Sequence, residues 1–321
     1  MTITCSIIIP VKPGGHTAAC EHIKKIMPDD HMYEILLAEG SAPSQQRNRA
    51  AREASGDILY FLDDDSLILT ENLDFCSSAM SDPAVAVVGG PSITPPDDSP
   101  LQKLFGVALA SAFGSGGVCN RYRVQGETRE TTDKELILCN LAVRSSVFKE
   151  LGGFNECLYP NEENEFLERV ISAGYKLLHD PAMIVFRSQR QTLRAFIRQM
   201  FNYGRGRGEQ TLLSGSFSIV SFIPLFFIIY LAFAPLFASN PIIFLPLSVY
   251  MLLTVFFTVL ESVRSRSITT FMLILIYPLM HIVNGIGLFF GLTGGKPAPL
   301  DDPNIVVKRI KPLGQNFEVW P

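Results

Sequence analysis

Asp63-Asp64-Asp65 sets three consecutive carboxylates directly after the apolar run Ile58-Leu59-Tyr60-Phe61-Leu62. Neighbouring carboxylates repel one another unless a cation sits among them. A hard divalent ion such as Mg²⁺ or Mn²⁺ takes one or two carboxylates and completes its shell with phosphate oxygens. The triplet therefore suits a metal bridging a diphosphate, and the competing reading is an acidic, solvated turn. A second acidic cluster, Glu162-Glu163-Asn164-Glu165, can supply a general base, because crowded carboxylates hold a proton more tightly. Its competing reading is the first turn of a helix, where the dipole favours acidic residues. His16, His22, His31, His179 and His281 form no ligand cluster and read as structural or exposed.

These residues need a scaffold, and the apolar pattern supplies one. Thr2 to Val11 is a β-branched run closed by Pro10, as in a buried parallel strand. Thr17–Met27 suits a helix, Tyr33–Ala38 a strand, and Gln45–Ser55 a helix stopped by Gly56. Ile58–Leu62 and Val85–Val88 are further strands. Strand and helix in alternation read as a doubly wound parallel sheet. Ligands of such sheets bind beyond the carboxyl ends of the strands. Pro10-Val11-Lys12, Glu39-Gly40-Ser41 and Asp63-Asp64-Asp65 all fall at such ends.

From residue 216 the composition changes. Ser216–Ala238 and Pro241–Leu260 are nearly uncharged, and each has about the 20 residues needed to span a bilayer. Ile268–Leu292 is a third apolar stretch, interrupted by Pro278, His281 and Asn284. Ahead of them, Arg190, Arg194 and Arg198 recur every four residues, opposite Leu193, Phe196, Ile197, Met200 and Phe201. This pattern predicts a basic amphipathic helix at the membrane interface; a surface helix with solvated arginines is the alternative. Arg205, Arg207, Arg264 and Arg266 put both ends of the first two spans on the cytosolic side. Lys296, Lys308, Arg309 and Lys311 favour the same side, which conflicts with a third crossing. A true third span is expected, with a re-entrant or interfacial segment as the alternative.

The chain has 321 residues, a net charge of -4 and 47% hydrophobic residues, with a mean hydropathy of +0.24. The negative balance argues against a nucleic-acid binder. Cys5, Cys20, Cys76, Cys119, Cys139 and Cys157 lack paired spacing, so they suggest neither a zinc site nor a disulfide framework. The amino terminus carries no secretory pattern, and the first domain is expected in the cytosol.

Ile7-Ile8-Ile9-Pro10-Val11, Gln46-Arg47-Asn48, Ala54-x-Gly56-Asp57 and Phe61-Leu62-Asp63-x-Asp65 together resemble the inverting family 2 glycosyltransferases of GT-A fold. The resemblance continues through Asn140–Arg144, Gly152–Glu156, Asn161–Phe166 and Gly174–Leu177, covering residues 3–205. It implies that Pro10, Val11 and Lys12 line the nucleobase pocket, with Glu39 near base or ribose and Arg47 near the nucleotide. Asp63, Asp64 and Asp65 would face the diphosphate, with Asp63 and Asp65 holding the metal. Glu163 takes the base position, with Glu162 as alternative, and Asn140 belongs to the acceptor and sugar pocket. Glu39-Gly40-Ser41 replaces the family's Asp-rich turn, and Ala50 replaces a common Gly. Arg187 stands where many relatives place a metal-binding His; it either compensates the diphosphate directly or marks a lost ligand.

Arg198-Gln199 and Tyr203-Gly204-Arg205-Gly206-Arg207 resemble the branch containing the glucosyltransferases of succinoglycan-type exopolysaccharide assembly. A processive synthase would carry Q-x-x-R-W here. Arg187, Arg198, Gln199, Tyr203 and Arg205 are accordingly the candidate acceptor and diphosphate contacts.

The expected fold is thus α/β: a GT-A domain with a Rossmann-like, doubly wound mixed sheet, followed by transmembrane helices. The expected domains are 1–186 catalytic, 187–215 interface helix and linker, 216–292 transmembrane with two or three helices, and 293–321 tail. The expected function is transfer of a sugar from a nucleotide diphosphate sugar, UDP favoured over GDP, to a lipid-linked glycan or polyprenyl phosphate. Such an enzyme would be a multi-pass protein of the inner or plasma membrane, serving cell-surface polysaccharide assembly with Mg²⁺ or Mn²⁺. The alternative is a non-catalytic, membrane-bound nucleotide-sugar-binding assembly partner.

Overall fold

A computed structural model describes residues 3–27, 32–215, 217–300 and 302–315. Thr2, His31 and Ser216, named above, lie outside the described residues. The chain divides into two units. One comprises Met1–Ile93, Asn120–Arg187 and Ala298–Pro321, and the other Thr94–Cys119 with Ser188–Pro297.

The first unit opens with β1 (Cys5–Val11), α1 (Ala18–Ile26), β2 (Tyr33–Glu39), α2 (Pro43–Glu53), β3 (Ile58–Leu62) and β4 (Leu67–Ile68). α3 (Asn72–Ala79), β5 (Val85–Gly89) and β6 (Ser92–Ile93) follow. Helices α4 (Pro100–Ala110) and α5 (Ala112–Ser115) belong to the second unit. The first unit resumes with β7 (Arg129–Glu130), β8 (Asn140–Arg144), α6 (Ser145–Glu150), α7 (Glu162–Ser172), β9 (Lys176–His179) and β10 (Val185–Phe186).

The second unit then takes α8 (Leu193–Ser214), α9 (Ile219–Phe233), α10 (Leu245–Ser265) and α11 (Leu273–Thr293), and β11 (Val306–Lys311) returns to the first.

The large sheet has the order β11-β2-β1-β3-β8-β5-β9-β7. Alternating burial explains its two-sided packing. Ile7, Ile9 and Val11 join one apolar cluster with α1 and α3 residues, while Ile8, Leu36, Leu59 and Phe61 join another beneath α2, α6 and α7. Each such side chain removed from water stabilises the fold by about 1.5–3 kcal/mol. The sheet is mixed, correcting the fully parallel pattern that alternation alone suggests: β8 runs antiparallel to both β3 and β5.

Three local expectations shift. Pro10 lies inside β1 instead of ending it. Pairing with β3 stops at Ile8, while the Val11 carbonyl faces β2 and accepts from Gly40 N–H at 2.9 Å. The missing N–H of Pro10 therefore falls where no partner strand remains. Helix α2 begins at Pro43, a residue suited to a first turn, and ends at Glu53. Gly56 serves not as its cap but as a close-approach site: an added Cβ would lie 2.7 Å from Ser6 N. Arg190 precedes α8, whose cap is Thr192, so the helical arginine row begins at Arg194.

Among its described residues the second unit contains three stretches long and apolar enough to cross a membrane: Ile219–Phe237, Pro241–Ser265 and Ile268–Thr293. Helices α8 and α11 meet through glycines. An added Cβ at Gly204 would lie 2.0 Å from Asn284 O, and one at Gly287 would lie 2.1 Å from Phe201 O. At Gly291 it would lie 2.2 Å from Arg205 O. Only glycine lets two helix backbones approach this closely.

Candidate active site

Strand order reverses at β1: the chain passes from β1 to β2 on one side and later to β3 on the other. Pairing of β1 with β3 ends at Ile8 and Phe61, and the unpaired strand ends beyond mark the crevice position at which open α/β sheets bind ligands. Val11 is buried and Lys12 exposed at its lip. Asp63-Asp64-Asp65 follows β3 on the opposite side.

Two arginines converge on that triplet. Helix α2 carries Arg47, whose Nη2 donates to Asp63 Oδ1 at 2.7 Å and whose Nη1 donates to Glu162 at 3.1 Å. The same helix face fixes the loop ahead of α7: Ser44 Oγ donates to the Leu158 carbonyl, and Asn48 bonds the Phe154 backbone and Glu156. The second arginine arrives through the small sheet β4-β10-β6. Antiparallel pairing sets Phe186 opposite Leu67, so Arg187 emerges beside Asp65. Its Nε donates to Asp65 Oδ1 at 2.6 Å, and its Nη2 lies 3.1 Å from Asp63 Oδ2. Burial alone would depress the Arg187 pKa, but Asp63 and Asp65 outweigh it and hold it above the ordinary value. Burial, with Asp65 and Asp63 alongside, raises the Asp64 pKa.

Helix α7 presents the second acidic cluster. Asn161, at φ 88, turns the chain into it, in a left-handed conformation that Asn tolerates better than most residues. Glu162 is 2% exposed. Burial pushes its pKa up to about 8, Glu163 adding to the shift and Arg47 opposing it. Glu163 lies 3.5 Å from Arg121 Nη1. Arg121 is itself anchored by the Lys134 and Asp133 carbonyls and by Asn164 Oδ1. Glu165 is engaged otherwise, accepting two bonds from Arg169 at 2.8 Å each.

At the end of β2, Glu39 accepts from Gly14 N–H at 2.6 Å and pairs with Lys308 at 2.5 Å. Those bonds, Lys308 foremost, lower its pKa. Asp302 accepts from the Ser41 N–H and hydroxyl at 2.6 and 2.9 Å. Arg121, Asp302 and Lys308 were absent from the sequence-derived set. Arg121 sits in no motif, and Asp302 and Lys308 reach the crevice only because β11 pairs with β2.

Asn140 does not face the crevice. It is fully buried, accepting from Tyr60 at 2.6 Å and donating to the Met183 carbonyl at 2.6 Å. The remaining candidates lie on α8, in the other unit. Arg198 is exposed and, with Arg194, Ile197, Phe201, Val283 and Ile286, lines a pocket of about 400 Å³. Gln199 donates to Tyr203 at 2.7 Å, and Arg205 pairs with Glu209 at 3.4 Å.

The sequence model of Glycosyl transferase family group 2 matches residues 58–286, more than half of the chain. The chain belongs to this family. Among curated relatives, the family member is 27% identical over 212 residues to the succinoglycan biosynthesis protein ExoA of Rhizobium meliloti (strain 1021), covering 64% of this chain and 61% of that protein. It is 28% identical over 162 residues to the O-antigen chain rhamnosyltransferase WbaN of Salmonella anatum, covering 49% and 50%. Against the pre-mycofactocin glycosyltransferase of Mycobacterium tuberculosis (strain ATCC 25618 / H37Rv) it is 26% identical over 163 residues, covering 50% and 33%. The chain thus spans less than two thirds of each relative's own length.

The mannosyltransferase PcManGT from Pyrobaculum calidifontis, solved in complex with GDP-Man and Mn²⁺, shares the fold. Its TM-score is 0.52 at 14% identity, covering 92% of this chain and 89% of that one. The chain is thus a member of Glycosyl transferase family group 2 that shares the GT-A-type mixed sheet and carries, among the described residues, three stretches long and apolar enough to cross a membrane.

A divalent cation at the triplet would share its carboxylate donors with an arginine. Asp63 and Asp65 gather around the Arg187 guanidinium, which stands where positive charge is required, and a Mg²⁺ or Mn²⁺ ion needs only one or two carboxylates beside phosphate oxygens. Among the described residues, no cluster of three or more His, Cys, Asp or Glu could hold a metal by itself. Such an ion would therefore depend on phosphate oxygens for much of its shell.

Proposed function

We propose that the protein is an inverting transferase moving a sugar from a nucleotide diphosphate sugar to a lipid-linked glycan or polyprenyl phosphate at the membrane. The observation that carries this reading is the Arg47 bridge, which joins Asp63 of the acidic triplet to Glu162 at the start of α7. That link supports a diphosphate site beside a catalytic carboxylate.

Val11, Lys12 and Glu39 border the nucleoside, and Arg47 and Arg187 orient the diphosphate. Asp63 and Asp65 would hold a Mg²⁺ or Mn²⁺ ion, which supplies charge neutralisation for the departing diphosphate. Glu163 is the base. Its 3.5 Å separation from an otherwise anchored Arg121 leaves it freer than Glu162, which Arg47 and burial hold in place. With a lipid-linked glycan as acceptor, its hydroxyl oxygen bonds the anomeric carbon, the bond from that carbon to the diphosphate oxygen breaks, and the hydroxyl proton passes to Glu163. An ionised polyprenyl phosphate oxygen would make the same displacement without that proton transfer. Attack opposite the leaving group inverts the anomeric configuration.

The relatives' roles in succinoglycan and O-antigen synthesis support a cell-surface glycan product. Arg194 and Arg198 beside an apolar pocket support an acceptor with a phosphate and a hydrocarbon chain. On this reading the catalytic unit faces the cytosol of a bacterial inner membrane.

The test is transfer by the purified protein in detergent. UDP- and GDP-sugars are screened with Mn²⁺ and Mg²⁺ against membrane lipid extracts, and product configuration is read by NMR. A lipid-linked product of inverted configuration is expected. Retained configuration excludes the mechanism, and donor binding without hydrolysis or transfer supports a non-catalytic partner instead.

A further inference from the structure

The chain leaves the first unit after Arg187 and returns to it at Ala298. The returning segment is no loose tail. β11 pairs antiparallel with β2 from Val306↔Glu39 through Lys311↔Ile35. Lys311 is fully buried, donating to the Tyr33 carbonyl at 3.1 Å. A strand and its sheet partner occupy one side of a bilayer, so the chain between them crosses an even number of times. Among the described residues, three stretches are long and apolar enough to cross, and three is odd.

The packing of α11 singles out the exception. It lies lengthwise on α8 in the parallel sense: Phe201 meets Gly287, and Arg205 meets Gly291. The Asn284 amide also donates to the Met200 carbonyl at 3.3 Å. If α8 and α11 were the first and fourth crossings, they would run in opposite senses, which the parallel register excludes. If α11 crossed without α8, its partner would be carried into hydrocarbon with Arg194, Arg198, Arg205, Arg207 and Glu209. Intramembrane charges are costly, and here five would share one helix. Burial agrees: 39% of the α11 window lies inside the protein, against 17% and 11% for the other two.

We propose that only α9 and α10 cross, and that α8 with α11 forms a platform in the headgroup layer on the side carrying the catalytic sheet. The partner of this platform is an anionic bilayer surface. Arg194 and Arg198 are exposed on α8 without a salt bridge among the described residues, one helical turn apart. Lipid phosphates are their complement. The same placement puts Lys296, Lys308, Arg309 and Lys311 with Arg205 and Arg207, which removes the charge conflict of a third span.

The inference is independent of the sugar and the base, and it shares Arg194 and Arg198 with the proposed acceptor contact. Its test uses the full-length protein with Cys157→Ser, the other cysteines being buried. Lys149→Cys, Ser239→Cys and Lys296→Cys are labelled singly with a membrane-impermeant maleimide in oriented vesicles. Lys296→Cys and Lys149→Cys should label from one side and Ser239→Cys from the other. A fluorophore at Ile286→Cys, quenched by lipids brominated at defined depths, should report a shallower position than one at Val255→Cys in α10. Labelling of Lys296→Cys with Ser239→Cys overturns the proposal, and so does an Ile286 probe as deep as the Val255 probe. Either measurement stands without transferase activity.

Discussion

Arg187 Nε donates to Asp65 Oδ1 across 2.6 Å, although the two residues are 122 positions apart. Its guanidinium also reaches Asp63 at 3.1 Å, so one side chain holds both outer carboxylates of the triplet. Arg187→Ala is expected to weaken UDP or GDP binding about 10- to 100-fold, since a hydrogen bond to a charged group contributes about 1.5–3 kcal/mol. Arg187→Lys should fall between, keeping the charge but losing the fork. Calorimetric titration with and without Mn²⁺ measures this, and unchanged affinity in Arg187→Ala would remove Arg187 from the diphosphate site.

Glu163→Gln should lower turnover by about 10²- to 10⁴-fold, the usual contribution of a general base, while donor affinity stays near wild type. Glu162→Gln should retain far more turnover and act mainly on donor affinity through Arg47. The reverse ranking in single-turnover assays assigns the base to Glu162.

Burial raises the Glu162 pKa from the ordinary 4.5 to about 8. The folded chain therefore keeps a proton that the unfolded chain releases above about 4.5. The stabilisation from that proton is complete below the unfolded value and is lost as pH rises through about 8. Glu162→Gln stays neutral throughout, so its stability relative to wild type should rise across this window. Urea unfolding at intervals between pH 5 and pH 9, roughly bracketing it, tests the sign; a difference that falls with pH contradicts the assignment.

The pairing of Lys308 with Glu39 at 2.5 Å joins β11 to the end of β2, where the proposed function places the nucleoside. Lys308→Ala is expected to raise donor KM roughly 3- to 10-fold, a modest effect because the pair is exposed and screened by solvent. Lys311→Ala should instead reduce stability by about 1–3 kcal/mol, since it strips a buried bond from Tyr33. Donor kinetics and thermal melts separate the two effects, and a KM change confined to Lys311→Ala would detach Lys308 from the site.

Gly204→Ala and Gly291→Ala place a methyl group 2.0 and 2.2 Å from backbone oxygens across the α8–α11 contact. Each should cost about 1–3 kcal/mol, the range for overpacking, and lower the melting temperature of detergent-solubilised protein. Wild-type melting in both would mean that the helices separate freely.

Much of the catalytic unit was legible in one dimension. The apolar runs of β1, β2, β3 and β5 announce buried strands, and the acidic triplet Asp63-Asp64-Asp65 is placed at a strand end, because local pattern decides both. Glu162 and Glu163 were equally readable as acidic residues opening a helix. Long-range pairing was not readable. Arg187 meets Asp65 only through the register of β10 on β4, and Lys308 meets Glu39 only because β11 closes the edge of β2. Arg121 reaches Glu163 only after the backbone carbonyls of Asp133 and Lys134 anchor it. The sequence by itself determined the strands, the apolar helices and the position of the acidic clusters at a strand end and a helix start, since these depend on residues a few positions apart. Tertiary structure alone decided which cation neutralises each carboxylate and on which side the tail lies. Those outcomes depend on strand register and helix packing between segments too distant for any local pattern to record.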